Sequence, residues 1–241
     1  MNDGNRDLAR DDVVQLLTEV GQVLAGQGLV ATIYVVGGTA MSLTINSRRT
    51  TRDVDTDMRD HREELRAAAA EVAERHGLDP RWLNSAAAMF LSSEPDPDAG
   101  EMDLPGLRVL TSSPDHLLAM KMRAYRGRDM DDLEWLFNFL RIENPQQAAD
   151  ITNRLFDDTA VSWFDPDEAL HVAEDVFRRA ERLGRPIGTL RVPDDTYRNS
   201  LAVGGAWAQA ARRHDHGPST SQSDDIHRQG AANDPIQSPD P

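Results

Sequence analysis

An α+β architecture is expected for this 241-residue chain on three observations. The stretch LVATIYVV, residues 29–36, is a continuous apolar run of the length of a buried strand. The stretch DVDTDM, residues 53–58, alternates with period two, which marks a strand with one polar face. From Ser113 to about residue 185, apolar residues recur only at helical spacing. The expected organisation is an α/β core over residues 1–112, a helical region over 113–185, a weakly ordered extension over 186–213 and a disordered tail over 214–241.

The elements follow from local signals. Val13, Leu16, Leu17, Val20, Val23 and Leu24 outline a first helix, with Asp11 or Asp12 as its cap and Gly26 and Gly28 as its stop. The strand over 29–36 ends at Gly37 and Gly38, and residues 39–45 read as a short helix. Residues 60–76 form an alanine-rich amphipathic helix closed by Gly77, and Asp79-Pro80 opens a further helical turn. Residues 89–92 and 107–111 are candidate strands, separated by a polar loop that holds Glu101 and Asp103. Ser113-Pro114, Asn144-Pro145 and Asp165-Pro166 each pair a capping residue with proline at the first helical position. The helix after Ser113 runs to Gly127, the next covers RDMDDLEWLFNFLR, and the last ends near Gly184. Met130, Leu133, Leu136, Phe137 and Leu140, with Trp135 and Phe139 beside them, read as packed core rather than a base-stacking platform. One more short helix fits residues 196–213. Beyond His214 the chain has too few apolar residues to offset its ordering entropy.

Composition narrows the function. The net charge is −15, so a broad DNA-binding surface is not expected, although a local basic site is compatible. There are no cysteines, which excludes disulfides and thiolate metal sites and fits a reducing cytoplasm. No apolar run approaches the roughly 20 residues of a spanning helix, and MNDGNRDLARDD does not read as a secretory signal. Of the 26 basic residues, Lys121 is the single lysine. Guanidinium and ammonium differ in size and geometry, so this position is a candidate for a role that arginine does not fill.

The chemistry concentrates at residues 35–57. Asp53, Asp55 and Asp57 share one strand face, where paired carboxylates raise each other's pKa unless a cation sits between them. Mg2+ prefers such oxygens, together with water and phosphate. A solvated strand face is the alternative reading of a bare D-x-D. A calcium loop is excluded because Met58 stands where the sharp turn needs glycine. Gly37 and Gly38 at a strand-to-helix turn let phosphate approach the backbone, Thr39 adds a hydroxyl, and Arg48, Arg49 and Arg52 bring positive charge.

The ordered pattern strand, Gly37-Gly38, short helix, Arg49-x-Thr51-x-Asp53-x-Asp55 resembles the nucleotidyltransferase superfamily typified by DNA polymerase β. The downstream stretch LRVLTSSPDHLLAMKMRAYRGRDMDDLEWL resembles the bacterial subgroup that includes the AbiEii and MenT toxins, with Lys121 on the lysine position and Arg128, Asp129 and Asp132 on the R-D-x-x-D motif. The resemblance covers about residues 30–140. It implies a small mixed sheet with flanking helices and transfer of a nucleotide from an NTP to an acceptor hydroxyl. Asp53 and Asp55 would be catalytic and hold Mg2+ or Mn2+. Lys121 and Asp132 would be catalytic as well, with Asp132 the third acid of the metal site or an acceptor-orienting group. Gly37, Gly38, Thr39, Arg49 and Lys121 would bind the nucleotide, and Thr51, Arg128 and Asp129 would support the site. The implied partners are an RNA 3′ end such as that of tRNA and a cognate antitoxin. The other expectation is a non-catalytic, regulatory NTP-binding module acting through a protein partner.

Overall fold

The computed structural model describes residues 6–45, 50–156 and 165–189. Arg48 and Arg49, the expected helix over 196–213 and the expected tail lie outside them. Seven α-helices are described: α1 (Arg10–Gly26), α2 (Gly37–Ala40), α3 (Arg62–His76), α4 (Pro114–Ala124), α5 (Met130–Phe139), α6 (Pro145–Leu155) and α7 (Pro166–Arg182). Five strands accompany them: β1 (Ala31–Val35), β2 (Val54–Met58), β3 (Leu83–Asn84), β4 (Gly100–Leu104) and β5 (Leu107–Thr111). The strands form one mixed sheet in the order β3-β2-β1-β5-β4, so the fold is α+β as expected.

β1 pairs antiparallel with β2 and parallel with β5. The register puts Ile33 opposite Met58 and Val35 opposite Thr56, and these four side chains are buried on one face. Tyr34 lies opposite Asp57, so Asp55, Asp57 and Tyr34 share the other face. α1 packs against α3 and crosses the β4–β5 hairpin so closely that a side chain at Gly21 would strike the Pro105 carbonyl. Pro105-Gly106 closes that hairpin, with Gly106 at φ +71°.

The helical region is built by its caps and its apolar stripe. Ser113 Oγ accepts from His116 N at 3.4 Å, Asn144 Oδ1 from Gln147 N at 3.1 Å and Asp165 Oδ1 from Asp167 N at 3.0 Å. Leu133, Leu136 and Phe137 are fully buried, with Trp135 stacked on Phe139 at 5.0 Å, so this stripe is core. Neither Asp11 nor Asp12 is the cap of α1. Ala9 holds that place, and Asp12 Oδ2 accepts from its backbone N–H at 2.9 Å.

Three local expectations differ. Residues 86–90 form a 3-10 helix where a strand was expected from residue 89, because a short alanine-rich segment carries no decisive period. Asp79-Pro80 leads through a turn into β3 instead of opening a helix. The presumed loop before β5 contains β4, so Glu101 and Asp103 are exposed on an edge strand, and Glu101 is ion-paired with Arg108. An edge strand with charged residues has the composition of a loop.

Candidate active site

The backbone leaves β1 extended at Val36 and turns at Gly37, where φ is +63°. Val36 N donates to Asp55 O at 3.0 Å, which ties the turn to β2. A Cβ at Gly37 would lie 2.9 Å from Asp55 Oδ2, so glycine is needed for both its conformation and its size. One turn of α2 follows and passes into a π-helical turn at Met41–Ile45.

The segment before β2 is pinned from two sides. Thr39 Oγ1 and Thr51 Oγ1 each donate to the Asp53 carbonyl at 2.8 Å. Thr51 also exchanges backbone hydrogen bonds with Leu8, at 2.7 and 2.9 Å. Thr39 is buried, and its hydroxyl braces the turn instead of lining the cavity described next.

Asp53 stands one residue before β2, and its Oδ2 accepts from Asn84 Nδ2 at 3.2 Å. Asp55 is the second residue of the strand and is partly buried. The third aspartate of the row has a different surrounding. Asp57 lies 3.0 Å from Arg59 and 3.8 Å from Arg62, which neutralise it away from the other two.

A cavity of about 420 Å3 lies over this end of the sheet, in the size range of small-ligand sites. Its wall includes Gly37, Gly38, Thr51, Asp53 and Asp55 from the α/β part. Lys121 reaches it from α4, Arg126, Arg128 and Asp129 from the turn that follows, and Asp132 from the start of α5. Arg49 is not among the described residues.

The electrostatics centre on Asp55. Burial, and then the neighbouring Asp53 charge, push its pKa up to about 6, against the opposing pull of Arg126, Arg128 and Lys121. Two carboxylates crowded on a partly desolvated wall are an oxygen donor pair for a hard cation. Lys121 is only 6% exposed, with Nζ 2.8 Å from Asp129 Oδ1 and 2.7 Å from Asp132 Oδ2. Asp132 therefore engages the lysine. Among the described residues no group of three or more His, Cys, Asp or Glu side chains gathers as a metal-binding set, and Asp132, the expected third acid or acceptor-orienting group, is ion-paired with Lys121. A residue on α5 reaches the lysine of α4 because the intervening turn folds back through Gly127–Asp129.

Asn84 and Phe90 also belong to this surrounding, and sequence reading singled out neither. Asn84 ends the two-residue β3 and Phe90 lies between β3 and β4, and neither belongs to a periodic segment. The pairing of β3 with β2 brings Asn84 opposite Asp55.

Residues 12–137 of the chain, slightly more than half of it, match the family described as nucleotidyltransferase of unknown function (DUF6036). No curated protein and no solved structure matches the chain. The matched span contains every residue named above as lining the cavity.

Proposed function

The chain belongs to this family of nucleotidyltransferases of unknown function, and from that premise we propose that it transfers a nucleoside monophosphate from an NTP to an acceptor hydroxyl. The observation that carries the reading is a single cavity wall holding the Gly37-Gly38 turn, the Asp53/Asp55 pair and the only lysine.

The donor set fits a divalent cation, Mg2+ or Mn2+. Asp53 and Asp55 offer hard oxygens, the Asp55 pKa is raised by burial and by its neighbour, and Gly37 leaves space where a side chain would press on Oδ2. When bound there, the cation would lower the pKa of the acceptor hydroxyl and neutralise charge on the departing pyrophosphate.

The chain's own residues do the rest. Gly37 and Gly38 expose backbone on the wall, so phosphate oxygens can approach without a side chain between. Lys121, oriented by Asp129 and Asp132, would meet the negative charge that grows on the leaving group. Arg126 and Arg128 add cations at the same wall, in a chain that is otherwise strongly negative. Thr51 and Thr39 hold the loop that carries Asp53. In the reaction the acceptor oxygen bonds to the α-phosphorus, the bond from that phosphorus to the bridging oxygen breaks, and pyrophosphate leaves. The acceptor proton passes to solvent.

An RNA 3′ end, such as that of tRNA, is the proposed acceptor, with the protein acting in the cytoplasm as the toxin of a toxin–antitoxin pair. Its support is the likeness to AbiEii and MenT at Lys121, Arg128, Asp129 and Asp132, and the local cations that suit one RNA terminus better than a long duplex. Among the described residues no helix is long and apolar enough to cross a membrane.

The test is transfer of label from each α-labelled NTP to total bacterial RNA with Mg2+, beside an Asp55→Ala control. Label in a tRNA-sized band with the intact protein alone is expected. Transfer that survives Asp55→Ala overturns the assignment. Mg2+-dependent NTP binding without transfer to any acceptor favours the regulatory-module reading.

A further inference from the structure

The cavity wall divides by chemistry. Gly37, Gly38, Asp53, Asp55 and Lys121 are groups that handle metal and phosphate, while Phe90, Ala87, Leu117 and Met120 are apolar. A nucleoside triphosphate divides in the same way. The proposed function accounts for the first set and leaves the second unexplained.

Phe90 carries the signal. Three arginine–aromatic stacks occur among the described residues, and only Arg126 over Phe90, 4.9 Å from the ring centroid, lies on this cavity. Both side chains are partly exposed. Alanines 86, 87 and 124 line the cavity near the stack, so small side chains stand where larger ones would close it.

The backbone is arranged to hold Arg126 there. α4 ends at Tyr125 with φ +37°, a left-handed conformation that is uncommon for a residue with a side chain. The Tyr125 hydroxyl donates to Asp175 on α7, which anchors the turn from outside. On the other side, Arg126 O accepts from Asp129 N at 2.8 Å. Such local strain persists where surrounding contacts over-determine it. Here it re-aims the chain from α4 so that Arg126 lies across Phe90.

We propose that the Phe90–Arg126 stack is the platform for the nucleobase of the NTP, which it holds by its face. This rests on the nucleotidyltransferase reading and assigns the second half of the same substrate. An aromatic ring capped by a guanidinium extends a π surface onto which a base can stack, and every base has such a face. Recognition of this kind contributes to the binding of all four nucleotides.

The test is equilibrium binding, with Mg2+, of the four NTPs and of inorganic tripolyphosphate, which lacks sugar and base. The full chain is compared with Phe90→Leu, which keeps apolar bulk and loses the π face, and with Phe90→Trp, which keeps the face. Phe90→Leu is expected to weaken all four NTPs by about tenfold. It should leave tripolyphosphate binding unchanged, and Phe90→Trp should retain NTP affinity. Unchanged NTP binding by Phe90→Leu overturns the platform, as does an equal loss for tripolyphosphate or a loss confined to one base. If the wild-type chain binds neither NTP nor tripolyphosphate, the nucleotidyltransferase reading fails, and the platform with it. NTP binding no tighter than tripolyphosphate removes the platform alone.

Discussion

Lys121 Nζ lies 2.7 Å from Asp132 Oδ2, and both side chains are almost fully buried at the cavity wall. Asp129 takes the other side of the ammonium at 2.8 Å. Removing one partner of a buried pair leaves the other charge uncompensated. Asp132→Ala should therefore destabilise the fold, and because Asp129 still faces the ammonium the loss should be limited to about 3 kcal/mol. Asp129 is more exposed, and Asp129→Ala should cost about 1 kcal/mol. Lys121→Arg should not support nucleotide transfer, since a planar guanidinium does not fit between the two acids as a compact ammonium does. Urea unfolding and transfer assays on the three variants check these values.

Asp55 makes stability depend on pH in a direction opposite to the usual carboxylate. Its pKa rises from 3.8 to about 6 on folding, so the folded protein binds that proton more tightly than the unfolded chain. The resulting contribution favours the fold below the unfolded value and is lost as pH rises through about 6. At neutral pH, without divalent cation, Asp55→Asn should be more stable than the wild type by about 2 kcal/mol. The difference should vanish near pH 4. Added Mg2+ should narrow it at neutral pH by stabilising the wild type alone. Urea unfolding in chelator and in Mg2+, at both pH values, is the measurement.

Gly37→Ala places a methyl 2.9 Å from Asp55 Oδ2 and forces an L side chain to φ +63°. The backbone cost should be about 1–2 kcal/mol. Displacement of the Asp55 carboxylate should remove Mg2+-dependent NTP binding while the circular dichroism spectrum stays native. Binding that persists with full affinity would show that Asp55 Oδ2 is not where the cation sits.

Leu8 is fully buried and pairs with Thr51, two residues from Asp53. Leu8→Ala should cost about 2–5 kcal/mol through the cavity it leaves. It should also speed hydrogen exchange at the Thr51 amide, whose acceptor is the Leu8 carbonyl. Thr51→Val keeps the volume and removes the bond to Asp53 O, so its effect on stability should be nearer 1 kcal/mol.

Much of this site could be read along the chain. The Gly37-Gly38 turn and the Asp53–Asp55 spacing depend on local backbone conformation and on the period of a strand, both written in consecutive residues. Asn144 and Asp165 were legible as caps for the same reason. β4 was not, because GEMDL on a sheet edge has the charge of a loop and only its pairing with β5 makes it a strand. Phe90 was not, because a short 3-10 turn carries no period that distinguishes it.

Linear order therefore supplied the chemical types present, two carboxylates beside a glycine turn and one lysine ahead of an R-D-x-x-D segment, since these rest on spacing within single elements. The partners came from packing. Asp57 meets Arg59 and Arg62 while Asp53 and Asp55 face the cavity. Asp132 pairs with Lys121, and Arg126 crosses Phe90. Each of these pairings joins side chains whose separation depends on how a turn folds back or how a helix lies on the sheet, and residue spacing alone leaves those angles open.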